Sequence, residues 1–153
     1  MGILFLPASL LAAWLLGAIG VIAPGSETGV DFASNSIRWM MTIPAGGMFI
    51  ASGLMHTIFA QRTAENIGWK TNGFQYEVGF FSFGVGAAGI YAAYLDKSAW
   101  VLLAVVISAF LLGAAANHVY EMVKDRNLKP GNTIVLVYDL GLPLSLWVLL
   151  ALV

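Results

Sequence analysis

SAWVLLAVVISAFLLGAAANHVYEM, the stretch from Ser98 to Met122, decides how this chain is read. From Ser98 to Asn117 it holds no ionisable residue. A helix needs roughly 20 predominantly apolar residues to cross the hydrocarbon core of a bilayer. No water reaches the backbone there, so an apolar run of this length must bond internally as a helix. Working outward, four further runs read the same way, at about 3–23, 37–60, 77–95 and 133–153. The expected fold is an all-α membrane protein: one domain over residues 1–153, a bundle of about five transmembrane helices.

Composition agrees. The chain is 59% hydrophobic and 10% charged, with mean hydropathy +0.85, whereas soluble domains average about 25% charged residues. A net charge of -1 gives no basic footprint for nucleic acid. The absence of cysteine excludes disulfides, thiolate ligands and iron–sulfur clusters. Met1 is not followed by a basic residue before the first apolar run, so residues 3–23 read as a retained helix rather than a cleaved leader.

The connections set the threading. Gly25-Ser26-Glu27-Thr28-Gly29 marks the first, residues 61–76 the second, Asp96-Lys97 a tight third, and Lys124 to Gly131 the fourth. Arg62, Lys70, Lys124, Arg126 and Lys129 fall on one side, Arg38 and Lys97 on the other. The excess of basic residues marks the cytoplasmic side. The N-terminus is therefore expected inside and the C-terminus outside, in the inner membrane if the source is bacterial. Small residues recur at helical spacing, as in Ser82/Gly86 and Ala109/Gly113, which lets helix backbones approach closely. Pro44 and Pro143 are expected to bend their helices. Trp39 and Trp100 read as interface anchors, and Trp14 and Trp147 as packing residues.

This threading brings the ends of several runs to one membrane face, and with them His56, Glu77, His118, Glu121 and Asp139. Ionisable residues near hydrocarbon are costly and mark functional sites by default. His118 and Glu121 are spaced i, i+3 and share a helix face. Helical bundles build di-metal sites from a related Glu-x-x-His pattern; here the order is reversed and occurs once. With His56, Glu77 and Asp139 from facing helices, the five are candidate ligands for Zn, Fe or Mn. They read first as a structural network, with Glu77 paired with Arg62 or Lys70, Glu121 with Lys124, and Asp139 accepting from Asn117 or Tyr138, and also as a proton or substrate path. The connection Asn66 to Tyr76 mixes aromatic, polar and glycine residues and reads first as a plain interfacial loop, and as a lid over the cluster in the functional reading. No phosphate-cradling loop, nucleophile elbow or His-Glu-x-x-His motif is present.

Ala51-Ser52-Gly53-Leu54-Met55-His56, Ala64 and Gly68, Glu77-Val78-Gly79-Phe80, Gly84, Gly86 and Gly89, then Trp100, Gly113, His118, Asn132 and Asp139 together resemble the DoxX-like small membrane proteins and a related uncharacterised family. The resemblance covers about residues 37–153. It implies a four-helix core with an additional N-terminal helix, and Glu77 where a helix begins. It implies no settled activity: DoxX-like proteins are linked with quinone-coupled sulfur oxidation, redox-stress complexes and chaperone-like membrane roles, many as accessory subunits.

Three functions follow as expectations. The first is an accessory or structural subunit of a larger membrane complex, with other membrane subunits or further copies of itself as partners. The second is a metal- or quinone-binding oxidoreductase component, with Trp69, Tyr76, Phe80 and Phe81 lining a quinone slot. The third is a small proton or solute transporter.

Overall fold

The computed structural model describes residues 2–153, and every regular element in that range is helical. A single 3-10 turn, Gly2–Leu4, leads into α1, Phe5–Ala18. A long rod follows, made of α2 (Phe32–Met40), a π-helical stretch (Met41–Met48) and α3 (Phe49–Thr57). A short helix α4, Ala60–Ile67, leaves the rod at 100°. Then come α5 (Gly73–Ala92), α6 (Lys97–Lys124), one turn of helix α7 (Pro130–Thr133) and α8 (Val135–Leu152).

Two helices are long and apolar enough to cross a membrane, Lys97–Lys124 and Pro130–Leu152; the bent pair Phe32–Thr57 with Ala60–Ile67 makes a third if taken as one span. Gly2–Ala18 is apolar but shorter than the roughly 20 residues a crossing needs. The first run therefore does not stay helical to residue 23. Gly20, with φ +73°, takes the left-handed conformation that ends helices. Val21 to Val30 then form an irregular cap, tied down by Asn35: its Oδ1 accepts from Ala23 N at 2.9 Å and its Nδ2 donates to Val21 O at 2.8 Å.

The second run begins earlier than residue 37, because the Asp31 carboxylate accepts from Ser34 N at 2.9 Å and so caps α2. Past the elbow, residues 60–67 are helical where the sequence reading has only a connection. Ala60, Thr63 and Ala64 are buried at i, i+3, i+4 while Gln61, Arg62 and Glu65 are exposed. That is a short amphipathic face.

The rod and α5 meet backbone to backbone. A Cβ on Gly89 would come within 2.8 Å of the Ala45 carbonyl carbon, and one on Gly86 within 2.8 Å of Ile50 N. Ser52 and Ser82 hydroxyls lie 3.4 Å apart across the same seam. The small-residue reading thus holds for Ser82/Gly86. It fails for Ala109/Gly113: both are exposed on α6, and a Cβ on Gly113 would meet nothing.

Leu10, Ile37, Met41, Phe49, Ile107 and Leu142 belong to one buried core. α1 is integral to it. Its Gly17 lies against Ser36, and Trp14 Nε1 donates to Ser145 Oγ of α8 at 3.0 Å. Trp100 is not a surface anchor: it is 3% exposed, donates to Ala92 O at 2.8 Å and lies under the Arg38 guanidinium, 4.8 Å from the ring centroid. The outside is apolar, with Phe5, Phe80, Leu102, Leu144 and Val123 among the exposed side chains. An apolar exterior is what a bilayer solvates.

Candidate functional site

The site is built where α6 ends and α8 begins. Lys129 opens α7, Pro130 takes its first turn, and Asn132 is carried wholly inside the bundle. Proline suits that position because the missing N–H would have no helical partner anyway. Asn132 then bonds in three directions. Its Nδ2 donates to Asn127 O at 2.8 Å and to His118 O at 3.2 Å, and its Oδ1 lies 2.7 Å from His118 Nδ1.

His118, buried on the inner face of α6, has its other ring nitrogen directed at α8. Nε2 stands 4.0 Å from Asp139 Oδ2. Both side chains are almost fully enclosed, and among the described residues Asp139 Oδ2 has no hydrogen-bond partner. Trp69 covers the imidazole from the connection side, ring on ring, 5.2 Å between centroids and 9° from parallel. His56 on α3 lies within electrostatic reach of His118, and its Nδ1 is buried without a partner, as is Trp69 Nε1.

The roof is fastened by backbone-directed bonds. Gly68, with φ +97°, ends α4, and Asn127 Nδ2 donates to the exposed carbonyl of Ile67 at 2.8 Å. Lys129 Nζ donates to Glu65 O at 2.9 Å. A Cβ on Gly131 would sit 2.5 Å from Asn66 O, so α4 and α7 touch as backbones. Within the connection Asn66 to Tyr76, Trp69 is the residue that covers His118, while Phe74 and Tyr76 are exposed.

The five sequence candidates do not form one group. His118 and Asp139 are brought together, with His56 near them. Glu121 is half-exposed one turn further along α6, and Glu77 is exposed in the second turn of α5. Among the described residues, no three His, Asp or Glu side chains are gathered closely enough to hold a metal ion. The residues present do not fit a Zn, Fe or Mn centre. The expected pairings are replaced too. Lys124 lies 5.0 Å over the Tyr120 ring, Tyr138 Oη donates to Pro44 O at 2.7 Å rather than to Asp139, and Asn117 is exposed. Trp69, Tyr76, Phe80 and Phe81 do not line one slot: Trp69 is against His118, Phe81 packs on Phe110, and Tyr76 and Phe80 are exposed.

Asn132 entered the sequence reading only through the resemblance, and Asn127 only as a loop residue. The signal for Asn132 is its place two residues after Pro130 at the start of an apolar helix, where a polar side chain is carried inward.

A second feature lies along α5 and α6. Although the two helices are joined by a tight turn, an open groove of about 470 Å³ lies between them. Gly84, Ala88, Ala92 and Ala99 line it between Phe81 and Tyr91. It contains no His, Asp, Glu, Lys or Arg.

A family model described as a family of unknown function, DUF6790, matches residues 4–153. No curated protein and no solved structure matches the chain.

Proposed function

The chain belongs to the DUF6790 family, and we propose that it is a small integral membrane protein of five spans serving as an accessory, structural subunit of a larger membrane assembly. The observation that carries this reading is the groove between α5 and α6. A membrane helix pair joined by so short a turn would ordinarily close on itself. Here Gly84, Ala88 and Ala99 instead remain open to the outside between two aromatic walls. Small residues facing lipid are where another transmembrane helix makes its closest approach. On α6 the exposed Ala109, Gly113 and Ala116 offer a second such strip.

The five-span count rests on treating Gly2–Ala18 and Gly73–Ala92 as crossings beside the longer helices, which their burial within the same bundle supports. The basic residues Arg62, Lys70, Lys124, Arg126 and Lys129 at the roofed end support a cytoplasmic assignment for that end, with the C-terminus outside. On this reading the rod, α5, α6 and α8 would correspond to the four-helix core that the DoxX-like resemblance implies.

Neither alternative gains from the geometry. The groove has apolar walls but lacks the convergent polar groups that would orient a quinone headgroup. Between the two ends Ile37, Met41, Ile107, Leu142 and Leu146 are all fully buried, an apolar filling that does not favour passage of a polar solute.

The test is purification from native membranes in mild detergent, with Gly84→Trp alongside. A Cβ there meets nothing, so a side chain can leave the helix at this position toward the groove. A stoichiometric partner that is lost from the variant is the expected result. Recovery of the wild type solely as a free monomer or homo-oligomer would overturn the proposal.

A further inference from the structure

We propose that His118 and Asp139 form a buried proton-binding site, which takes up one proton as a pair. Asn132 sets the hydrogen positions. Its Nδ2 faces two backbone carbonyls, Asn127 O at 2.8 Å and His118 O at 3.2 Å. Carbonyl oxygens only accept, so the amide nitrogen must face them, and the amide oxygen faces His118 Nδ1 at 2.7 Å. An amide oxygen also only accepts. His118 Nδ1 therefore carries the hydrogen.

That fixes the other side of the ring. In the neutral imidazole, Nε2 then holds a lone pair, and it points at Asp139 Oδ2, itself an acceptor when ionised. Two acceptors face each other inside a site where Asp139 is 2% exposed and its Oδ2 has no donor. Burying an unpaired carboxylate against a lone pair is strongly unfavourable. One proton removes the conflict. Added to the pair, it gives either imidazolium with carboxylate or imidazole with carboxylic acid, and takes the pair from a net charge of -1 to zero. At 4.0 Å the contact is longer than a hydrogen bond. A small rotation of Asp139 or one bridging water spans it.

The surroundings favour this pair as the seat of the proton. From α3, His56 lies within electrostatic reach of His118. On α6, Glu121 lies one turn beyond it. On α8, Tyr138 neighbours Asp139 but its hydroxyl is engaged by Pro44 O. Asn132 presents no ionisable group, and Trp69 closes the open side. No Lys or Arg reaches Asp139 as an ion-pair partner among the described residues.

The experiment is nitrogen-15 NMR of histidine side chains in the full chain reconstituted in lipid, across a pH range, for wild type, Asp139→Asn and His118→Gln. The chain has two histidines, so a His56→Gln sample assigns both rings. The expected result is a His118 Nδ1 that stays protonated throughout, with a reversible one-proton change at Nε2. Asp139→Asn supplies an amide donor to Nε2, and the change should vanish while Nδ1–H remains. If that variant does not fold, pH-difference infrared spectra take its place: wild type should show a carboxyl change that His118→Gln shifts or abolishes. A neutral His118 protonated at Nε2 instead, or carboxyl and imidazole changes identical in wild type and variant, would overturn the proposal.

Discussion

Trp69 lies flat against His118, its ring plane 9° from parallel at 5.2 Å, although the two residues come from opposite sides of the roofed end. Such aromatic pairs contribute about 0.5–1.5 kcal/mol beyond the area they bury. Trp69→Ala removes both the stacking and the cover. It should lower the unfolding midpoint in mild detergent and speed hydrogen exchange at the His118 ring. Trp69→Phe should retain part of the protection. Equal exchange in wild type and Trp69→Ala would show that the roof is held by Asn127 and Lys129 alone.

The seam between the rod and α5 gives a contrast within one residue type. Gly89→Ala drives a methyl into the Ala45 backbone, and neither partner is a flexible side-chain tip. Overpacking of this kind costs about 1–3 kcal/mol. Gly113→Ala, on an open helical face, should instead be neutral or stabilising by about 0.4–1 kcal/mol, since it restricts the unfolded chain without a clash. Denaturant unfolding of the two variants side by side checks this; loss of stability at Gly113 would mean that face is covered.

Much of this architecture was legible in advance, and the places where it was not have physical reasons. Hydropathy located every long helix because the solvent forces apolar runs to be helical. It could not set their ends, since those depend on single groups: Asp31 capping α2, Gly20 stopping α1. Residues 60–67 looked like a loop because their polar composition hides a face only Ala60, Thr63 and Ala64 wide. At the site, threading the runs back and forth brings His118 and Asp139 to one end, and the two lie 4.0 Å apart. It could not say which side of each helix faces inward, so Glu77 and Glu121 were grouped with them. Periodicity assigns faces well for a helix with one apolar stripe, but helices apolar all round carry little such signal.

Asp31 offers the one pH prediction outside the spanning helices. Its carboxylate accepts from the Ser34 backbone N–H, which holds it below the usual aspartate range. A group depressed in the folded state contributes stability above its unfolded value of about 3.9, and that contribution is lost as pH falls through the lower folded value. Asp31→Ala should therefore cost about 0.5–2 kcal/mol near neutral pH, toward the low end for so exposed a cap. The difference from wild type should shrink in acid. A difference that persists unchanged below the aspartate range would mean the charge is irrelevant and only local packing was lost.

The bond from Tyr138 to Pro44 O couples the last helix to the irregular part of the rod. Pro44 has no N–H, so the helical bond back to Met40 O cannot form, and the wide turns Met41–Met48 absorb the break. Tyr138 Oη donates to the Pro44 carbonyl at 2.7 Å in a fully buried setting. Tyr138→Phe deletes the donor while keeping the ring against Phe49. It leaves a buried carbonyl without that partner, at a cost of about 1–3 kcal/mol. Pro44→Ala restores a backbone N–H and lets the rod return toward α-helical geometry, in which the residue-44 carbonyl finds its donor four residues on. The two changes should therefore not add: Tyr138→Phe should cost less in the Pro44→Ala background, with a coupling of about 0.5–3 kcal/mol. Detergent unfolding of the four proteins in this cycle measures it. Strict additivity would show that the π-helical stretch is set by the glycine seam with α5, and that Tyr138 contributes only its ring.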